Sequence, residues 1–271
     1  MVDKIRIAVI YSPEFAFLRQ DYRDNTLYYF FMKALERNPR LYVEFFSATE
    51  KFDTTVLRRK FDVIILPDNR FPHIPYELTS IKETKIPVIS RTGDPHTIKQ
   101  YNKLKIHESH QIKYYFGPMT AEYFHKFFPK ELKFKFIMAG LEPELYKNVK
   151  PFSDRISEKI VNTGNVGNIR LKSRIANAIL NPGRSTWHFY RLRTMCNQLP
   201  YVDYSGMKGD SYIHRDYPSY VSSYKSAIAA STYYAVIKHL ELTAAGCLTF
   251  MEVSDINNDA EVLGFKNYEN A

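Results

Sequence analysis

Cysteine is scarce: Cys196 and Cys247 are the two thiols in 271 residues. They stand far apart in apolar or mixed surroundings, which excludes a disulfide framework and a cysteine-based zinc site. Long hydrophobic runs are missing too. The longest, such as residues 63–66, fall far short of the roughly 20 residues that a bilayer span needs. Residues 1–4 lead straight into a strand pattern with no signal peptide ahead of it, so a cytoplasmic protein is expected. Acidic charge is in deficit, with 29 Asp and Glu against 38 Lys and Arg and a net charge of +9. That balance favours anionic partners: nucleotide phosphates, nucleic acid or an acidic membrane surface. No RNP-type aromatic motif, zinc finger or helix-turn-helix pattern accompanies it, and the basic residues are scattered. Nucleic acid is therefore set aside as a partner.

What is present is an ordinary globular composition, 45% hydrophobic and 25% charged, made aromatic by 21 Tyr and 19 Phe. The length suits two domains. Strand and helix patterns alternate, the mark of parallel sheets covered by helices. Strands are expected at 5–11, 42–46, 61–67, 87–90, 113–116 and 134–138, with helices at 25–37, 56–60, 75–84 and 119–127. Residues 142–155 read as a connection. A second alternation follows, with strands at 157–163, 202–204, 227–230 and 248–251 and helices at 171–180 and 187–198. Two Rossmann-like doubly wound domains are expected, 1–150 and 151–271, with ligand at the C-terminal strand ends in the cleft they face.

The densest motif is K-H-L-E-L-T-A-A-G-C-L at 238–248. Lys238 and Glu241 stand three apart on one side of a helix that ends in small residues and Gly246. A carboxylate at a helix start beside a glycine-tight turn suits the hydroxyls of a ribose. Earlier in the same half, Gly164 and Asn165 open a loop leading to Arg170, Lys172 and Arg174 at a helix start, which offers backbone N–H groups and cations to a diphosphate. The loop is neither a Walker loop nor a G-x-G-x-x-G fingerprint. Arg91-Thr92-Gly93-Asp94-Pro95-His96 follows the fourth strand. His107 and His110 could share a helix face, but no third metal ligand is within reach by sequence.

The order and separation of these motifs resemble the GT-B glycosyltransferases, in particular their group-1 and CgeB-like branch. The resemblance rests on Ile160 to Gly164, on Met138 to Tyr146 (similar to a G-v-d-p-e-l-f signature), on Lys238, Glu241, Ala244 and Gly246 (K-x-x-E then A-x-G), and on Leu263-Gly264-Phe265. It covers most of the chain. The resemblance implies a donor site for a nucleotide-diphosphate sugar built from Glu241, Lys238, Gly164, Asn165, Arg170, Lys172 and Gly246, with Gly206 in a loop that receives the base. It implies an acidic or imidazole group, Asp94 or His96, near the transferred sugar, and catalysis without a bound metal or other cofactor. The acceptor, a glycan, lipid or protein, is left open, as is peripheral contact with an acidic membrane. Relatives continue past the point matching Ala271, so the second domain is expected to lack their final helices. A glycosyltransferase-like binding protein without turnover is the alternative reading, and a sugar-nucleotide epimerase the third.

Overall fold

The computed structural model describes residues 4–14, 30–138, 140–180, 186–205, 216–231, 234, 236–252 and 263–265. The chain divides into two compact units, with the main boundary between Gly140 and Leu141.

In the first unit the strands are β1 (Ile5–Tyr11), β2 (Leu41–Ser47), β3 (Lys51–Asp53), β4 (Val63–Leu66), β5 (Glu77–Thr79), β6 (Val88–Arg91), β7 (Ile112–Gly117) and β8 (Lys133–Phe136). Six of them form a parallel sheet in the order β2-β1-β4-β6-β7-β8. β1 lies inside because Ile7, Ala8, Val9 and Ile10 are buried consecutively, as expected of a strand covered on both faces. The helix Phe30–Arg37 sets Met32 into a core with Ile7, Val9, Ile65 and Phe116. A second aromatic core forms where Phe124 stacks on Phe128 and Phe134, each with centroids 4.4 Å apart.

The order of connections creates a switch point. From β1 the chain steps to β2 on one side, then returns to β4 on the other. The C-terminal ends of β1 and β4 are therefore where connections diverge, and in open α/β sheets a crevice forms there.

The second unit carries β9 (Ile156–Thr163), β10 (Val202–Ser205), β11 (Tyr224–Ala229) and β12 (Leu248–Met251), all parallel, in the order β10-β9-β11-β12. Its switch point lies between the ends of β9 and β11. Residues 142–155, expected as a connection, belong with this unit. The Lys150 N–H donates to Ser222 Oγ at 3.3 Å, and its carbonyl accepts from Arg155 Nε at 2.8 Å.

Three expected helices differ. Residues 75–84 do not form one helix: β5 pairs with β3, and only Ile81–Thr84 is helical. Buried Leu78 between more exposed Glu77 and Thr79 is a period of two, and a Lys51–Glu77 ion pair at 3.0 Å fastens the register. The helix expected at 56–60 is a 3₁₀ turn at Thr54–Leu57, capped by Asp53, whose carboxylate accepts from the Thr55 N–H at 3.0 Å. The segment 187–198 is broken at Tyr190 into Thr186–Phe189 and Arg191–Cys196. Among the described residues, no helix is long and apolar enough to cross a membrane.

Candidate functional site

β9 runs into its switch point as Val161-Asn162-Thr163, all buried, and then turns at Gly164. Gly164 has φ +96°, a conformation that a side chain rarely adopts. A Cβ there would stand 2.8 Å from Lys238 Nζ and 3.0 Å from the Arg193 guanidinium. Two cations thus flank one glycine at the end of the central strand. The Gly164 N–H donates to the Ser205 carbonyl of β10 at 3.1 Å, and Tyr204 Oη donates to the Gly164 carbonyl at 2.8 Å, which fixes the turn.

Both cations are buried. Arg193 is 5% exposed; its guanidinium donates to the Asn165 carbonyl at 2.9 Å and the Ala230 carbonyl at 2.8 Å, bridging the ends of β9 and β11. Its Nε has no hydrogen-bond partner among the described residues, and neither has Asn162 Oδ1. Asn162 Nδ2 donates to the Arg193 carbonyl at 3.0 Å. Lys238 Nζ donates to the Thr163 carbonyl. Burial holds the Lys238 ammonium well below the usual lysine range, the Arg193 charge pushes the same way, and Glu241 opposes both. Burial also lowers Arg193.

Glu241 follows Lys238 on the helix Lys238–Ala244 and is 5% exposed, so it is not a solvated surface glutamate. Tyr217, buried with its hydroxyl 3.0 Å from Thr163 Oγ1, is held well above the usual tyrosine range by burial first and the Glu241 charge second. Lys238, Glu241, Arg193, Tyr217 and the Gly164 turn form one charged cluster at a parallel-sheet switch point. Chemically it offers buried positive charge for an anion and a buried carboxylate for hydroxyl donors.

The other expected donor residues lie differently. Asn165 enters the cluster through its carbonyl. Arg170 and Lys172 are exposed around the start of the helix Leu171–Leu180, and no side-chain hydrogen bond ties them to the cluster among the described residues. Arg174 packs its guanidinium 3.6 Å from the Trp187 ring centroid, a structural contact. Gly206 lies outside the described residues. Gly246, φ +73°, terminates the helix: its N–H reaches the Thr243 carbonyl and the Cys247 N–H the Leu242 carbonyl, the paired bonds of a Schellman motif. The Ala245 and Gly246 carbonyls accept from Arg155 at 2.9 and 2.8 Å. Gly246 is thus accounted for by the end of the helix opposite Lys238.

In the first unit the switch point carries a second cluster, in the loop Pro67-Asp68-Asn69-Arg70 and its continuation to His73. Asp68 is fully buried, and its Oδ2 accepts from Arg70 Nε at 2.8 Å and His73 Nδ1 at 2.7 Å. Its Oδ1 accepts from the Asn69 N–H at 2.7 Å. Burial alone would raise this carboxyl, but the His73 hydrogen bond and the Arg70 and Lys103 charges hold it well below the usual carboxylate range. The Ser12 N–H at the end of β1 donates to the His73 carbonyl at 3.0 Å, and Ser90 Oγ of β6 donates to the Asp68 carbonyl at 3.0 Å.

Asp94 is exposed nearby, and its carbonyl accepts from buried Lys103 Nζ at 3.0 Å. Burial pulls Lys103 down to about 8, against the opposing charges of Asp68 and Asp94. His96 is half-buried on the 3₁₀ turn Pro95–Thr97, its ring edge-on to Phe127 at 6.3 Å.

Arg193 and the Asp68–His73 pair are functional candidates that sequence reasoning missed. The inward positions at 189, 190, 193, 194 and 197 follow a helical period, so one arginine on that period was the available signal. For Asp68 and His73 the signal was a charged D-N-R-x-x-H loop directly after a central apolar strand.

The fold defines an α/β protein whose two larger parallel sheets each carry a buried charged cluster at the switch point. No protein-family model matches the chain, and no curated protein does.

Proposed function

We propose that this chain is a glycosyltransferase of GT-B type, two Rossmann-like domains about a substrate cleft, which moves a sugar from a nucleoside-diphosphate donor to a hydroxyl of a glycan, lipid or protein. The observation that carries the reading is the pair of buried cations, Lys238 and Arg193, flanking Gly164 at the switch point of the second sheet. A diphosphate is the ligand class that rewards such a pair. Its charge offsets their mutual repulsion and restores the ammonium that burial disfavours, and hydrogen bonds between charged groups contribute about 1.5 to 3 kcal/mol each. Glu241 would accept both ribose hydroxyls. A cytoplasmic setting and a reaction without resident metal or cofactor belong to the same proposal.

Calorimetric titration with UDP, GDP and ADP tests it. Saturable binding of at least one nucleotide is expected, weakened about 10-fold or more by Glu241→Ala, as loss of a charged hydrogen bond implies. Absence of binding by all three would refute the donor-site assignment.

A further inference from the structure

The helix Leu171–Leu180 is built inside out. Its half-buried positions, Ser173, Arg174 and Asn177, are polar: Asn177 Oδ1 accepts from the Thr186 N–H at 2.7 Å, and the Arg174 guanidinium lies over the Trp187 ring. Its apolar residues face away. Leu171, Ile175 and Ile179 are 66%, 52% and 73% exposed, and at four-residue spacing they fall within about 80° of one another around the helix axis. Ile169 before the helix and Leu180 at its end are exposed as well. A surface helix normally turns such a stripe towards the core, and contiguous apolar exposure marks a contact surface.

The charge around this ridge has one sign. Residues 159–202 contain no Asp or Glu, while Lys and Arg recur through them. Arg170 and Lys172, exposed on either side of Leu171, place cations at the start of the ridge. A second copy of this chain fits poorly there, because a two-fold contact would set the same cations against one another. Nucleic acid would pair with the cations and leave the apolar stripe in water. A bilayer rich in anionic lipid takes both, with the cations among its phosphate headgroups and the stripe in the acyl boundary. A ridge also suits a fluid partner, which needs no groove shaped to receive it.

We infer that the helix Leu171–Leu180 docks the protein on a bilayer rich in anionic lipid, lying in the plane of the interface. Ile175 and Ile179 enter the acyl boundary, and Arg170 and Lys172 meet the headgroups. The surface lies wholly within the second unit and uses none of Lys238, Arg193 or Glu241, so it stands apart from the transferase reading.

Flotation of the full chain with vesicles of equal parts phosphatidylcholine and phosphatidylglycerol, against vesicles of phosphatidylcholine alone, tests the docking. Partition into the mixed vesicles is expected to exceed that into the neutral ones about 10-fold or more and to weaken with added salt. Ile175→Asp with Ile179→Asp should lower it about 10-fold or more, because buried apolar area drives insertion. Arg170→Gln with Lys172→Gln should lower it about 5-fold for each cation lost. All four positions are exposed, so thermal unfolding should stay close to wild type. No partition into either vesicle, equal partition into both, or mixed-vesicle binding unchanged by the aspartate pair overturns the docking. So does a wild-type dimer in light scattering that the aspartate pair converts to monomer, which gives the ridge to a second copy. Where the aspartate pair fails to fold, the contrast between the two vesicles and the glutamine pair decide the matter.

Discussion

Gly164 and Lys238 meet so closely that a single carbon added to the glycine would lie 2.8 Å from the lysine Nζ. They come from the end of β9 and the start of the helix Lys238–Ala244, 74 positions apart in the chain by their numbering. The contact leaves no room for a side chain between the strand end and the cation.

Gly164→Ala is accordingly expected to act on binding more than on folding. The positive φ costs about 1 kcal/mol for a non-glycine residue, while the clash is with the movable ends of Lys238 and Arg193. Thermal unfolding should fall by a few degrees, and nucleotide affinity measured by calorimetry should fall about 10-fold or more as both cations are displaced.

Gly246→Ala is expected to do the reverse. Its φ of +73° and the Arg155 guanidinium 3.0 Å from an added Cβ make the substitution destabilising by about 1 to 2 kcal/mol, read from urea unfolding. Nucleotide affinity should hold within about twofold, because the helix end it terminates lies away from Lys238. A large loss of affinity with stability intact would return Gly246 to the donor site.

Arg193 binds the ends of two strands together. Arg193→Ala leaves the buried Ala230 carbonyl without its donor, and a cost of about 2 to 4 kcal/mol is expected in denaturant unfolding. Arg193→Lys should recover part of that stability, since one ammonium cannot keep both carbonyl contacts in the same geometry. Equal stability of both variants and wild type would contradict the bridging role.

Lys103 gives the fold a pH dependence with a defined sign. Its folded-state value of about 8 lies below its ordinary 10.5, so between those values the unfolded chain holds more protons than the folded one. Stability from this residue therefore rises as pH climbs from about 8 to 10.5, by about 1.4 kcal/mol for each unit separating the two values. Lys103→Met should remove that slope from a plot of unfolding free energy against pH. An unchanged slope would mean that the ammonium is not desolvated in the fold.

The central strands were legible because consecutive buried residues such as Ile7 to Ile10 and Ile64 to Leu66 write continuous apolar runs into the sequence. Residues 77–79 were not, since a three-residue edge strand has too little period to compete with a helical reading, and its pairing with 51–53 is a long-range fact. Lys238, Glu241 and Gly164 could be singled out because helix spacing and a glycine turn are local. Arg193 was hidden by its own helix: Leu192 and Met195 are 40% and 49% exposed while the arginine is buried, inverting the usual link between apolarity and burial. Asp68 and His73 acquire their chemistry only when the ends of β1, β4 and β6 assemble around the loop, which no local pattern encodes.

The seat of a bound nucleoside diphosphate decides whether Lys238, Arg193 and Glu241 form a donor site. A crystal structure of the full chain soaked with whichever of UDP, GDP or ADP binds tightest should show phosphate oxygens at about 2.7 to 2.9 Å from Lys238 Nζ and the Arg193 guanidinium, the range of charge-assisted hydrogen bonds. The ribose hydroxyls should lie on Glu241. A diphosphate seated away from Gly164, or a ribose that leaves Glu241 untouched, would contradict that assignment.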